Sequence, residues 1–186
     1  SLKALTCVEG RRSIYQRAKH FDLPVLRCGK VIVAVESSET AALEELLQRG
    51  QSNDVEGLEL VDGARLEALE PGTRGVAAIW SPESGVVDSH GLARSYQVEA
   101  EAAGATLSFA TEVVGAAQQE KGCDGYQLQL GIAGEKEVFA TSSRIIINAA
   151  GLGQDSISGL IGLDVDRLGY RQYLCKGEWF TVADRH

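Results

Sequence analysis

Residues 144–153 read Arg144-Ile-Ile-Ile-Asn-Ala-Ala-Gly-Leu-Gly153. A continuous apolar run of this kind suits a strand buried on both faces of a parallel sheet. The Gly151-x-Gly153 that follows opens onto a helical stretch over 154–161, with Ile157, Leu160 and Ile161 as its inner side. Glycine at a strand-to-helix junction lets main chain approach a phosphate or a flat ring, and the start of a helix offers free N–H groups. The spacing falls short of a dinucleotide fingerprint. Its third position is Ser156 rather than Gly, and the expected βαβ continuation with a distant acidic residue is missing. On residues alone the junction reads as an ordinary strand-to-helix turn.

Working outward, three antiparallel strands are expected over 112–119, 126–132 and 138–140, joined by turns at Lys121-Gly-Cys-Asp-Gly125 and Ala133-Gly-Glu-Lys136. Before them, Asp88 or Ser89 caps a helix with a Leu92, Tyr96, Ala100, Ala103 stripe, and 105–109 follows as a strand, helix then strand as in a βαβ unit. The first half opens with a helix over 2–21 that places Cys7, Ile14, Ala18 and Phe21 on one side and stops before Pro24. The β-branched stretch 25–35 is a strand or a bent pair. Ser37 or Ser38 caps a helix that buries Leu43, Leu46 and Leu47 and ends at Gly50. A strand at 58–61, a short Asp62-capped helix burying Leu66 and Leu69, and strands at 76–80 and 85–88 complete this half. The tail, 170–182, reads as strand interrupted at Lys176-Gly177. Helices and strands alternate throughout, so the fold class is α/β or α+β.

The chain has 186 residues, 44% hydrophobic and 24% charged, and a net charge of −8. Such an acidic balance argues against a general nucleic-acid binder. No apolar run approaches the roughly 20 residues of a membrane helix. Methionine is absent and residue 1 is Ser, which reads as a processed start or a piece of something longer, and no signal peptide is visible. Residues 1–30 hold seven Lys or Arg against Glu9 and Asp22, a local surplus that reads either as a solvated helix face or as a surface for an anion. Cys7, Cys28, Cys123 and Cys175 are far apart and form no C-x-x-C, so reduced, mostly buried thiols in a cytosol-like compartment are expected. His20, His90 and His186 lack metal-ligand spacing, and no metal is expected. Asp88-Ser-His90 superficially resembles a triad, but chain neighbours cannot converge in that way, and a helix cap explains the pair better. Lys30 reads as an ordinary strand-start lysine or a cation at a pocket edge. Lys176-Gly-Glu-Trp-Phe180 reads as a surface turn or as a cation and an aromatic presented to a ligand.

Several stretches together carry a resemblance. Ser1-Leu-Lys-Ala-Leu-Thr-Cys-Val-Glu-Gly10, Arg27-Cys-Gly-Lys-Val-Ile-Val-Ala34, Leu69-Glu-Pro71, Ser81-Pro-Glu-Ser-Gly-Val-Val-Asp88 and Ile147-Asn-Ala-Ala-Gly-Leu152 run in the order found in the FAD-dependent D-amino-acid-oxidase-like family, and most of all in its L-2-hydroxyglutarate dehydrogenases/oxidases. The resemblance covers essentially the whole chain. It implies an α+β substrate domain joined to part of a flavin-binding Rossmann-like domain, with mixed sheets. Residues 1–87 would be mainly substrate-binding, 88–162 the inner part of the FAD-binding domain with a three-stranded antiparallel insertion, and 163–186 a return to the substrate domain. The family's strand, G-x-G-x-x-G turn and helix would lie ahead of Ser1, so the chain alone is expected to bind FAD weakly or not at all.

By the same resemblance, Val113 matches the position that holds the adenine end of FAD through backbone groups, and Ala149, Ala150 and Gly151 match the turn that approaches the cofactor. Lys30, Arg171 and Lys176 are candidates for a substrate carboxylate. No residue is assigned as the catalytic base. The implied reaction is oxidation of a 2-hydroxy acid like L-2-hydroxyglutarate by hydride transfer to flavin. An amino-acid or amine oxidase of the same family, and a non-catalytic small-acid binding or interaction domain, remain as alternatives. The implied location is cytoplasmic, with no nucleic-acid partner and no spanning segment. Oligomeric state stays open.

Overall fold

The computed structural model describes residues 2–119 and 125–178. The chain divides into two compact units, Ser1–Thr106 and Leu107–His186.

In the first unit, α1 (Leu2–Phe21) is followed by β1 (Val25–Leu26), β2 (Lys30–Ala34), α2 (Thr40–Ser52), β3 (Glu59–Asp62), α3 (Gly63–Leu69), β4 (Ala77–Ser81), β5 (Val86–Val87) and α4 (Ser89–Ala102). β4 is the centre of an antiparallel sheet ordered β2-β4-β3, with Ile79 opposite both Ile32 and Leu60. Strand side chains alternate between faces, and β4 uses this to build two cores. Ile79 joins Ala34 and Leu43 of α2, backed by Ile32, Leu47, Leu58 and Ala77. Ala78, on the other face, joins Val61 and Leu66 of α3, backed by Val31, Val33, Leu69 and Trp80.

The stretch 25–35 is the bent pair. β1 pairs with β5, β2 pairs with β4, and Gly29 turns between them with φ +73°. A Cβ at Gly29 would lie 1.7 Å from Cη2 of Trp80, so this turn admits glycine alone. Arg17 ties α1 to α4. Its guanidinium donates to Ser95 Oγ at 2.6 Å, pairs with Glu99 at 2.6 Å and lies over the Tyr96 ring at 3.6 Å.

Several expectations are corrected here. Cys7 is exposed rather than on a buried stripe, as are Cys28 and Cys175, and all three are free thiols. A 3-10 turn over Ser37–Glu39, with Glu36 as its N-cap, precedes α2, whose own N-cap is Glu39 rather than Ser37 or Ser38. Glu36 and Glu39 form a reciprocal capping box around a 3-10 turn, because a carboxylate reaches the free N–H groups that a hydroxyl would otherwise accept from. Gly50 lies inside α2, which continues to Ser52, and Leu58 packs into the space where a Cβ of Gly50 would stand. On α4 the buried residue is Ser95. Tyr96 is 51% exposed and held by Arg17 instead. Residues 105–108 form no strand, so the helix-then-strand unit does not close.

In the second unit, β6 (Thr111–Gln118), β7 (Tyr126–Ile132) and β8 (Val138–Ser143) form an antiparallel meander in that order. The register slips between Val113 and Gly115, a bulge at Val114. A 3-10 turn (Gly151–Gly153) leads into α5 (Gln154–Leu160), which packs against β6. Residues 144–148 are not a strand, and Ile145 and Ile147 are 75% and 86% exposed. A strand buried on two faces needs a hydrogen-bonded neighbour on each edge, and no described residue pairs with this run. All described strand pairs are antiparallel. Residues 170–178 have no regular structure, and 179–182 lie outside the described residues, as do residues 121–124 of the turn expected over Lys121–Gly125.

Candidate functional site

The junction that opened the sequence is pinned from beneath by one side chain. Asn148 Nδ2 donates to the Gln154 carbonyl at 2.9 Å and to Ser158 Oγ at 3.0 Å, while its Oδ1 accepts from Ala150 N–H at 3.2 Å. A half-buried amide that spends its donors and its acceptor in this way fixes the loop closely. Gln172 holds the other side, donating from Nε2 to the Gly151 carbonyl at 3.2 Å and from its main-chain N–H to Asp155 Oδ2 at 3.1 Å. Gly151 has φ +55° and no neighbour within 4 Å of where a Cβ would stand, so glycine serves the backbone turn there.

Above this turn lies a cavity of about 610 Å³. Val113 of β6 and Ala149, Ala150 and Gly153 of the turn line it, with Leu128, Ile146 and Ile157 as its apolar floor. It thus brings together three of the four residues expected to face a cofactor. Gly151 sits in the same turn but outside the lining. The Val113 main chain faces outward. Ala133 N–H donates to the Ala110 carbonyl at 2.9 Å, which makes that a hydrogen-bonded pair, and alternation then makes Val113–Leu130 a non-hydrogen-bonded one. Both main-chain groups of Val113 therefore point to the open edge of β6, next to the bulge.

The substrate candidates are placed differently. Lys30 is exposed at the start of β2, opposite Ser81, in the first unit. Arg171 is engaged by both oxygens of Asp166 and lies 3.7 Å from Asp155. The hydrogen bond from Arg171 holds Asp166 below its ordinary carboxylate range, and Asp166 in turn raises Arg171. Lys176 pairs with Glu178 at 3.1 Å on the surface. His90 is exposed, and Asp88 Oδ1 accepts from its main-chain N–H at 3.1 Å, the cap geometry. Among the described residues, no three His, Cys, Asp or Glu side chains converge.

A model of the family described as FAD dependent oxidoreductase matches residues 3–186. The chain belongs to this family. The mouse protein named "L-2-hydroxyglutarate dehydrogenase, mitochondrial" is 34% identical over 200 residues, covering 99% of this chain and 43% of the mouse protein. The Arabidopsis thaliana protein of the same name is 32% identical, covering 98% of this chain and 42% of its own length. The chain thus spans less than half the length of these curated relatives. Two crystal structures share the fold: L-proline dehydrogenase from P. horikoshii, with TM-score 0.69, 18% identity and coverage of 83% of this chain and 40% of that one, and glycine oxidase from Geobacillus kaustophilus, with TM-score 0.67, 19% identity and coverage of 84% and 42%. The α/β class and the flavoenzyme resemblance are borne out by these matches. The cytoplasmic location is not: the relatives are named mitochondrial, which points away from it.

The residues of the second unit fit one end of FAD. The cavity lies within the usual size of a small-molecule site. Its Ala-Ala-x-x-Gly wall leaves room for a flat ring, and Val113 offers an edge N–H and C=O such as an adenine needs. The lining contains neither Lys nor Arg, so nothing in it neutralises a pyrophosphate. α5 has only seven residues and carries Asp155 in its first turn, which opposes an anion at its N-terminus. Sequence reasoning missed Asn148 and Gln172. Asn148 directly after an apolar run was the available signal, since a polar amide there needs partners.

Proposed function

We propose that this chain forms part of a flavoenzyme that oxidises a small 2-hydroxy acid of the L-2-hydroxyglutarate kind, and that its second unit holds the adenine end of FAD. The observation that carries the cofactor half is the cavity that joins the outward main chain of Val113 to Ala149 and Ala150. Identity of 32–34% along nearly the whole chain with proteins named L-2-hydroxyglutarate dehydrogenase supports the substrate half. The functional division proposed is residues 1–87 and 163–186 toward substrate and 88–162 toward cofactor.

When bound, FAD supplies the hydride acceptor for oxidation at C2 of the acid. The chain's own part is to bind and orient. Val113 N–H and C=O read the edge of a flat ring, Ala149 and Ala150 admit it, and Asn148 and Gln172 hold the turn rigid. Of the three cations proposed for a substrate carboxylate, Lys30 alone shows no anionic partner among the described residues, whereas Arg171 and Lys176 would have to leave Asp166 and Glu178.

The flavoprotein of which this chain is proposed to form part is expected to lose its yellow flavin absorbance when mixed with L-2-hydroxyglutarate without oxygen. Absence of flavin after gentle purification would sink the reading. Bleaching by glycine or proline and not by hydroxy acids would replace it with an amino-acid oxidase.

A further inference from the structure

Four of the seven cations of the first 30 residues line one cleft. Arg11, Arg12 and Lys19 of α1 and Arg27 of the β1–β2 turn line a cleft of about 380 Å³ together with Glu56 and Glu83. The cleft carries two more cations than carboxylates on a chain whose net charge is −8. The two carboxylates are used differently. Glu56 is gripped by both Arg11 and Arg12. Glu83 lies 3.8 Å from Arg11 and 3.4 Å from Arg27, looser than an ordinary charge-assisted hydrogen bond. Lys19 has no partner among the described residues. Arg27 is nevertheless held in position, its guanidinium 4.0 Å above the Tyr15 ring, and the Tyr15 hydroxyl donates to the Glu83 carbonyl at 3.0 Å. Positioned guanidinium donors and a free ammonium around a cleft with a twofold positive surplus match a dianion with several oxygens.

A second cleft, about 370 Å³ and apolar, adjoins the first, sharing Arg11 and Tyr15 as a common rim and continuing along Ile14, Val25, Val86 and Val87. We propose that the first unit binds a phosphate monoester, its phosphoryl group between Lys19 and Arg27 and its apolar ester group along Ile14 and Val86. The site belongs to the first unit and does not depend on the flavin reading.

Calorimetric titration of the chain tests this with inorganic phosphate and phenyl phosphate, against sodium chloride at matched ionic strength. Saturable phosphate binding is expected, with phenyl phosphate tighter by about tenfold through burial of its ring. The double variant Lys19→Gln/Arg27→Gln is expected to weaken both ligands at least about tenfold with an unchanged far-UV circular dichroism spectrum. If that variant fails to fold, Lys19→Gln alone, at an exposed unpaired residue, is expected to weaken both about threefold. Phosphate heats no larger than those of chloride, phenyl phosphate no tighter than phosphate, or affinity unchanged in a folded variant would each overturn the proposal.

Discussion

At Val113 two main-chain groups, rather than a side chain, are available to a ligand. Val113→Pro removes the outward N–H and leaves the β6–β7 ladder its bonds, since proline is tolerated on an edge strand where that N–H points away. Loss of one hydrogen bond is expected to weaken FAD binding roughly three- to tenfold, read by flavin fluorescence titration, while Val113→Ala stays near wild type. Equal effects of the two variants would locate the contact elsewhere. The candidate site was only partly legible at this scale. Gly151 was marked by the glycine spacing itself, whereas Val113, Ala149 and Ala150 entered through resemblance, because no side chain among them carries chemistry. Glu56 is a second residue-scale case. The hydrogen bond from Arg12 first, and that from Arg11 next, holds its carboxyl below the ordinary 4.5. The unfolded chain therefore binds the proton more readily, so the contribution of Glu56 to stability is present above that value and fades as pH falls through the lowered one. Thermal melts are expected to show Glu56→Gln below wild type at neutral pH and converging with it in acid. The gap is small because the pair is exposed; a constant gap across pH would exclude the mechanism.

Among the elements, β4 shows why the first unit was readable from its sequence. The expected strand over 76–80 and the helix stripes at Leu43 and Leu66 are local patterns, and Leu43 and Leu66 each lie in one of the two cores, whereas Leu46 of the same stripe as Leu43 is exposed. Leu66 is fully buried between α3 and the sheet. Leu66→Ala is expected to cost about 2–5 kcal/mol in a denaturant melt. Gly29→Ala meets both a left-handed φ and the Trp80 ring, so a loss of about 2 kcal/mol or more is expected. A melt within experimental error of wild type for either variant would contradict the packing described. Residues 144–148 were misread for a complementary reason. Composition reports that a run can be buried, but a strand also needs edge partners, and partnering is not local. The cap at Glu36 was missed because the rule favouring Ser over Glu is statistical, whereas the capping box depends on the reciprocal Glu39.

For the molecule as a whole, the two units divide the proposed work. The first carries two sheet cores and a basic cleft, and the second carries a meander and a turn beside one cavity. The α/β class followed from alternation along the chain. The division at 106/107 did not, since α4 is joined to α1 by Arg17 rather than by any pattern within its own sequence. The cofactor claim belongs at this scale, because it assigns the adenine end of FAD to the cavity of the second unit. The most direct test is a two-dimensional amide NMR titration of the chain with FAD. Shifts are expected to concentrate at Val113, Ala149, Ala150 and Gly153, with weak affinity because the cavity supplies no cation to the pyrophosphate. Shifts confined to the first unit, or tight stoichiometric binding that leaves those four amides unmoved, would contradict it.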